Sequence, residues 1–168
     1  VKNATGVENG TKAHPFNTLS EGLRAATNGS VVGLAAGVYA QTFKPLTENY
    51  VIQGLRNFKL LGMGASRTTI RGDHSFSLIR FGNGAFGVIQ GLTIEQGGHS
   101  PNSVGGGIQI LGITDSTSLT VRDVILQDNE AVNGAGISVR CAAATACAVR
   151  PANGCVPASI SYAMTPSA

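Results

Sequence analysis

The sequence predicts an all-β chain folded as a right-handed, single-stranded parallel β-helix, a solenoid with an N-terminal capping α-helix. Three observations support this prediction. The 168 residues include 23 glycines but only 12 % charged residues, a composition typical of turn-rich β proteins. Short apolar segments recur about every thirty residues, a period typical of solenoids. One amphipathic segment precedes them, where a cap would stand.

The composition also limits the classes of partner that the protein can be expected to bind. A length of 168 residues suits one domain, and a hydrophobic share of 42 % disfavours disorder, the alternative that so much glycine raises. The net charge of +3 comes from scattered residues without a basic run, which argues against a nucleic-acid partner. A weakly basic surface would favour polyanions such as uronic-acid polymers. No apolar stretch is long enough to span a membrane.

The first element along the chain is a predicted helix from about residue 17 to 27. Thr18 and Glu21 have the spacing of a capping box, and Asn28-Gly29 would end the helix. Its apolar residues recur at helical spacing: Phe16, Leu19, Leu23 and Ala26. The first coil of a solenoid exposes an apolar end and unpaired strand edges, so this helix is expected to cap the stack.

From Ser30 onward, short apolar strands alternate with glycine-containing or polar turns. The predicted strands are 31–32, 38–39, 58–61, 78–81, 88–94, 108–111, 119–126 and 137–139. No helical pattern interrupts them, which favours a β-helix. A β-sandwich of independent strands is the alternative architecture, but it does not require apolar motifs to recur at a fixed period.

Two alignments measure the repeat. Segments 60–63, 89–92 and 121–124 align with offsets of 29 and 32 residues, and Leu78, Ile108 and Ile137 align with offsets of 30 and 29. Successive coils place like residues on one another at roughly 4.8 Å. Inward stacks are therefore predicted for Ile89 on Val121, Leu92 on Val124 and Ile94 on Leu126. Outward ladders are predicted for Gln90 with Arg122 and Glu95 with Gln127.

Two segments resemble the N-terminal entry of the pectin-lyase-like β-helix superfamily: 10–19 (GTKAHPFNTL) and 31–39 (VVGLAAGVY). Segment 60–66 (LLGMGAS) is similar to that family's first full coil, and 89–94 (IQGLTI) to its commonest coil motif. Segments 128–131 (DNEA) and 134–137 (GAGI) are similar to repeats of bacterial adhesins and autotransporter passengers. The resemblance covers about residues 10 to 140. It implies an exported, carbohydrate-associated protein, secreted or at the cell surface.

The repeat pattern ends near Arg140, so residues 1–140 are predicted to form the capped β-helix and 141–168 an irregular tail. The tail holds Cys141, Cys147 and Cys155, an odd number that leaves at least one without an intrachain partner. The pairing stays open, and the spacing matches no zinc site. A divergent cap, a disulfide-tied loop and appended non-native sequence all remain open.

The number of coils is small for the family, so truncation of a longer ancestor is expected. A start at Val1 fits a processed secreted protein and a fragment equally well. An uncapped last coil would allow homo-oligomers to form through the open end.

Catalysis has to be argued from a site, because this fold carries lyases, esterases, hydrolases and inert stalks alike. The resemblance implies, for a pectate lyase, clustered aspartates that hold calcium and an Arg or Lys base. Asp73 and His74 are the candidates for such a cluster, with Arg71 and Arg80 as the nearest bases. Calcium is expected only in that case, and otherwise no cofactor.

A hydrolase would need two carboxylates around the scissile bond. Glu95 and Asp128 lie about one coil apart and are expected to approach each other on the outer face. A serine esterase would use His99 with Ser100 or Ser103 and a distant acid, Asp115. His99 lies in the longest glycine-rich loop, 97–107, where a rigid scaffold often carries its function.

Ice binding would require threonine ladders, and Thr69, Thr93 and Thr120 are not expected at matching coil positions. The sequence therefore favours non-catalytic binding of a polysaccharide or cell-surface glycan. The alternative is a polysaccharide lyase or a glycoside or ester hydrolase. Its candidate residues are Asp73, His74, Glu95, His99 and Asp128. Neither the ligand nor the existence of an activity follows from the sequence.

Overall fold

The computed structural model describes residues 6–40, 50–98, 105–113, 117–141 and 161–163. Within them lie one helix, α1 (Leu19–Arg24), and the following strands: β1 (Val31–Gly33), β2 (Gly37–Ala40), β3 (Tyr50–Gln53), β4 (Phe58–Leu61), β5 (Thr68–Arg71), β6 (Ile79–Gly82), β7 (Phe86–Glu95), β8 (Ile108–Ile113), β9 (Ser118–Gln127), β10 (Ile137–Cys141) and β11 (Ser161–Ala163).

All strand pairs are parallel, and each strand pairs with its counterpart in the next coil. One sheet stacks β1, β4, β7, β9 and β11 along one half, and β2, β5, β7 and β9 along the other. The second sheet stacks β3, β6, β8 and β10. The long strands β7 and β9 therefore run through both halves of the first sheet. The predicted parallel β-helix is confirmed.

The predicted inward register is confirmed. Ile89 pairs with Leu60 on one side and Val121 on the other, while Leu92 pairs with Val124 and Ile94 with Leu126. The outward partners Gln90–Arg122 and Glu95–Gln127 are also confirmed. The largest fully buried side chains form a continuous core between the two sheets: Phe58, Phe81, Ile52, Leu60, Ile70, Leu78, Ile79, Ile89, Leu92, Ile94, Ile108 and Leu119.

One predicted alignment is wrong by a single residue. Ile79, not Leu78, pairs with Ile108, and Ile108 pairs with Ile137, so both offsets in this column are 29 residues. Leu78 precedes β6 but is as completely buried as Ile79. Two adjacent buried residues give no alternation, and alternation is the signal that fixes the register of a strand.

The expectation that the threonines do not match is also wrong for one pair. Thr69 pairs with Thr93, whereas Thr120 pairs with Val88. Thr93 is only 5 % exposed, and its hydroxyl donates to the Ala65 carbonyl oxygen at 2.8 Å. The neighbours of this pair along the column are Val38 and Ile125. The matched threonines therefore do not form a flat, exposed ladder.

The helix is shorter than predicted. The capping box is confirmed: the Thr18 hydroxyl accepts from the Glu21 N–H at 3.2 Å, and the Thr18 N–H donates to the Glu21 carboxylate at 2.8 Å. The helix ends at Arg24 because the next residues form a turn, in which the Ser30 N–H donates to the Thr27 carbonyl oxygen. Leu19 and Leu23 are buried in the core, so the predicted cap covers the first coil.

Residues with positive φ stack at the corners between strands. Gly54 follows β3, Asn83 follows β6, and Gly112 lies near the end of β8. Their φ angles are 66°, 51° and 58°. The Gly54 N–H donates to the Gly82 carbonyl oxygen, and the Asn83 N–H to that of Leu111. Glycine and asparagine accept this left-handed conformation more readily than other residues, so the chain turns at the same place in successive coils.

Within the described ranges, no helix is both long and apolar enough to cross a membrane.

Candidate functional site

A polar ladder crosses three successive coils on the outer face of the first sheet. The register places Arg71 of β5, Glu95 of β7 and Gln127 of β9 side by side. Glu95 accepts from Arg71 Nε at 2.6 Å through Oε1 and from Gln127 Nε2 at 2.7 Å through Oε2. Each carboxylate oxygen is therefore held by a different neighbouring coil. We call these three residues the polar ladder.

The ladder fixes the charge of its central residue. Glu95 is only 8 % exposed, and a buried carboxylate without partners would be driven toward its neutral form. Hydrogen bonds from the Gln127 amide and then from the Arg71 guanidinium outweigh burial and lower the pKa of Glu95 below its ordinary value. Glu95 is thus ionised at neutral pH and cannot serve there as a proton-donating acid.

The corner that follows the ladder brings together His74 and Asp128. His74 Nε2 lies 3.7 Å from Asp128 Oδ2, and both residues have positive φ, 64° and 50°. Gln96, between them in the stack, also has positive φ. The His74 N–H donates to the Gln96 carbonyl oxygen and the Gln96 N–H to that of Asp128, so backbone bonds hold the corner residues in line.

The imidazole of His74 is constrained at its other nitrogen. Nδ1 is buried without a hydrogen-bond partner in the described part of the chain. Of the two ring nitrogens, Nε2 is therefore the one that faces a described partner, the carboxylate of Asp128.

Two further side chains stand at the same corner. Asp73 is exposed and accepts from the Ser75 N–H at 3.1 Å. Phe76 is 36 % exposed, and its carbonyl oxygen accepts from the Gly98 N–H at 2.7 Å. An aromatic ring is therefore partly exposed two residues after His74 along the chain. We call His74, Phe76, Asp73 and Asp128 the corner cluster.

Four of the five predicted site residues lie in this region: Asp73, His74, Glu95 and Asp128. Glu95 contacts Gln127, its predicted ladder partner, while Asp128, the residue after Gln127, contacts His74. Arg71, named only as a nearby base, is a partner of Glu95. Arg80 points from the second sheet, where its Nε donates to Gln109 Oε1 at 3.4 Å.

His99, with Ser100, Ser103 and Asp115, lies outside the described residues. The described ends of the glycine-rich loop show why its glycines are needed. A Cβ on Gly97 would lie 2.1 Å from the Gly106 carbonyl oxygen, and one on Gly106 would lie 2.6 Å from that of Glu130. Close packing between coils therefore requires glycine at both positions, independently of any function.

Asn129, which the sequence did not single out, supports the site from beneath. Its Nδ2 donates to the Ile94 carbonyl oxygen at 2.9 Å, and its Oδ1 accepts from the Gly97 N–H at 3.0 Å. The side chain thus ties the coil of Asp128 to the coil of Glu95. Its position next to Asp128, in a turn that follows a strand, was the available signal.

No group of three His, Cys, Asp or Glu residues with metal-binding geometry occurs among the described ranges. A cavity lies elsewhere, between the N-terminal segment, α1 and β1, with Phe16, Leu19, Val32 and Tyr39 in its wall. Tyr39 donates its hydroxyl to the Ala35 carbonyl oxygen, and burial raises the pKa of this phenol. The described residues of its wall include no carboxylate or imidazole, so the polar ladder and the corner cluster are the better candidate site.

Comparison with known proteins supports the architecture. No family model matches the sequence, and no curated protein matches it. A search of solved structures finds the crystal structure of a pectin methylesterase mutant in complex with a hexasaccharide, with a TM-score of 0.51 and 17 % sequence identity. The similarity covers 80 % of this chain and 46 % of that protein, so the chain spans less than half of its length. The chain therefore has the pectin-lyase-like parallel β-helix fold.

Proposed function

We propose that the protein binds a saccharide at the polar ladder and the corner cluster, without covalent chemistry. The observation that carries this proposal is the mutual fixation of Arg71, Glu95 and Gln127 across three coils. Polar groups that are already held in place lose little conformational entropy when a ligand binds, which favours affinity. A saccharide presents many hydroxyl groups that can pair with such donors and acceptors.

The corner cluster adds the other feature that a sugar ring needs. Phe76 offers a partly exposed aromatic surface two residues after His74, and Arg71 keeps 45 % of its side chain exposed while its Nε contacts Glu95. The remaining guanidinium N–H groups are therefore placed at the surface as donors. The hexasaccharide bound by the pectin methylesterase is consistent with this proposal.

The test is a binding screen of neutral and anionic hexasaccharides by isothermal titration calorimetry. The Gln127→Ala variant should lose about three- to tenfold in affinity, because one direct hydrogen bond is typically worth that much. Arg122→Gln is the matched control, since Arg122 points outward from the other half of the same strand. Absence of binding to every saccharide, or equal affinity of wild type and Gln127→Ala, would overturn the proposal.

A second candidate is ester hydrolysis, favoured by the ionised state of Glu95. Glu95 would accept a proton from a water molecule that attacks the ester carbonyl, and that proton would leave with the alkoxide to give an acid and an alcohol. The guanidinium and amide beside it would stabilise the developing oxyanion. Release of methanol or acetate by the wild type, lost in Glu95→Gln, would establish this activity. Equal rates with and without the protein would exclude it for those substrates.

We further propose that the protein acts outside the cell or at its surface. The support is the composition, poor in charged residues and rich in glycine, together with the likeness to a saccharide-bound β-helix protein. Fractionation of the native host with an antibody against the chain would test this. Recovery in the cytoplasmic fraction alone would contradict it.

A further inference from the structure

We propose that the site selects uncharged saccharides over uronate polymers. This inference rests on the proposed function and concerns the chemical class of its ligand. It follows from the balance of charge at the site, where the carboxylates of Asp73, Glu95 and Asp128 outnumber the guanidinium of Arg71.

Among the described residues Arg71 is the cation of the polar ladder, and it cannot serve a second carboxylate well. Arg71 already contacts the buried Glu95 at 2.6 Å, and a uronate arriving there would compete with a partner that is held by the fold. The same pairing keeps Glu95 negative, since the Gln127 and Arg71 contacts lower the pKa of its carboxyl group. The positive charge at the ladder is therefore cancelled before any ligand binds.

The remaining carboxylates face solvent. The Asp128 side chain is 58 % exposed, and Asp73 is exposed two residues from Arg71. His74 Nε2 lies 3.7 Å from the Asp128 carboxylate, which is longer than a hydrogen bond. Like charges a few ångströms apart in water repel by roughly the thermal energy or more at low salt, which is about a three- to tenfold effect on affinity.

The charge of the whole chain predicts the opposite preference. A net charge of +3 favours polyanions, but it belongs to the whole chain, and three of the described cations lie away from the site. Lys59 and Arg122 point outward from the other half of the first sheet, and Arg80 lies on the second sheet. Screening by salt reduces the reach of these distant charges to about 8 Å at physiological ionic strength. The local carboxylates therefore determine which ligand charge the site prefers.

The experiment compares ligands that differ only in charge. β-1,4-mannohexaose is compared with β-1,4-hexamannuronate, and methyl-esterified hexagalacturonate with the free acid, by calorimetry at about 20 mM and about 500 mM NaCl. The uncharged member of each pair should bind about three- to tenfold more tightly at low salt. The difference should shrink at high salt, because screening weakens repulsion between exposed charges.

Two isosteric variants locate the effect. Asp128→Asn should narrow the gap between the paired ligands, whereas Asp123→Asn should leave it unchanged. Both aspartates are exposed on β9 or its end and have φ near 50°, a conformation that asparagine also accepts, so both variants should fold. A uronate that binds as tightly as its uncharged partner would overturn this inference alone. Failure of all these ligands to bind would overturn it together with the proposed function.

Discussion

The third coil (β7 and β8) and the fourth coil (β9 and β10) have nearly the same inward residues but different burial. Ile110 of β8 is 2 % exposed, whereas its register partner Val139 of β10 is 44 % exposed. Ile94 is fully buried in β7, and its partner Leu126 of β9 is only partly buried. Each coil of a solenoid is stabilised by its neighbours, so a residue in an inner coil gains burial from both sides.

The first coil shows another way to close an end. Leu34 follows β1 and is 5 % exposed, although no coil precedes it in the described chain. Leu19 and Leu23 of α1 belong to the same buried cluster as Leu34, and a Cβ on Gly22 would lie 3.5 Å from Val32 Cγ1. Helix α1 thus buries the apolar end of the first coil, as a neighbouring coil buries each side of the third. The difference between inner and outer coils can be tested at matched positions.

The largest effect is expected from truncation inside the stack. Ile110→Ala should lower the free energy of unfolding by about 2–5 kcal/mol, because it removes buried methylene groups and leaves a cavity. Val139→Ala, at the partner position, should cost about 1 kcal/mol or less, since much of that side chain already contacts water. Urea unfolding of both variants measures the two values. Equal losses of unfolding free energy would show that the fourth coil is covered as fully as the third.

Glycine positions should show the same contrast with a smaller amplitude. A Cβ on Gly82 would lie 1.8 Å from the Leu111 carbonyl oxygen, so Gly82→Ala should destabilise by about 1–3 kcal/mol or more. A Cβ on Gly33, in the first coil, would meet no atom within 4 Å. Gly33→Ala should therefore be neutral or slightly stabilising, because it restricts the unfolded chain. Thermal melts distinguish the two, and a destabilised Gly33→Ala would mean that another segment packs on β1.

The helical cap can be loosened without touching the coils. Thr18→Ala removes the hydroxyl that accepts from the Glu21 N–H and should cost about 1 kcal/mol. Thr18→Ser keeps that acceptor and is the matched control. Hydrogen exchange should become faster in α1 and β1 but not in β7. Faster exchange throughout the stack would indicate that the cap and the inner coils unfold as one unit.

The smallest effect concerns the contact of Glu95 in the third coil with Gln127 in the fourth. Because the pKa of Glu95 is lowered in the folded chain, its contribution is complete above the ordinary value of 4.5 and is lost as pH falls through the folded value. Below pH 4.5 the wild type should therefore lose stability more steeply than Glu95→Gln. Glu21, whose pKa is lowered by Thr18, adds to the loss in both proteins and cancels in the comparison. An equal loss of unfolding free energy below pH 4.5 in the two proteins would contradict this.

The fold could be predicted because stacking repeats the same apolar residues. Alternation in 89–94 and 121–126 identified the inward residues of β7 and β9, and the register followed. Strands β3, β5 and β11 were missed: β5 begins with two threonines, and β11 lies in the segment predicted as an irregular tail. The register at Leu78 failed because two buried residues adjoin there. The predicted boundary near residue 140 and self-association through the open end stay predictions.

The candidate site could be predicted only in part, because a uniform period misplaces residues across corners. Leu60 and Ile89 are 29 residues apart, but Arg71 and Glu95 are only 24 apart. The loop between β4 and β5 adds residues in one coil that the continuous strand β7 does not have. A fixed repeat therefore could not place His74 beside Asp128. The Glu95–Gln127 partnership was predictable, since no loop of unequal length separates those columns.

That unequal loop has a consequence for engineering the chain. The segment between β4 and β5 follows a different path from the bend at Gly91 in β7, yet the strands on both sides keep their pairing. The Gly62 N–H donates to the Gln90 carbonyl oxygen at the start of this loop, and the Thr68 N–H donates to the Gly64 carbonyl oxygen at its end. Foreign peptides grafted between Met63 and Arg67 would thus be displayed on a rigid support. Antigenic epitopes or affinity tags placed there should leave the adjoining coils in register.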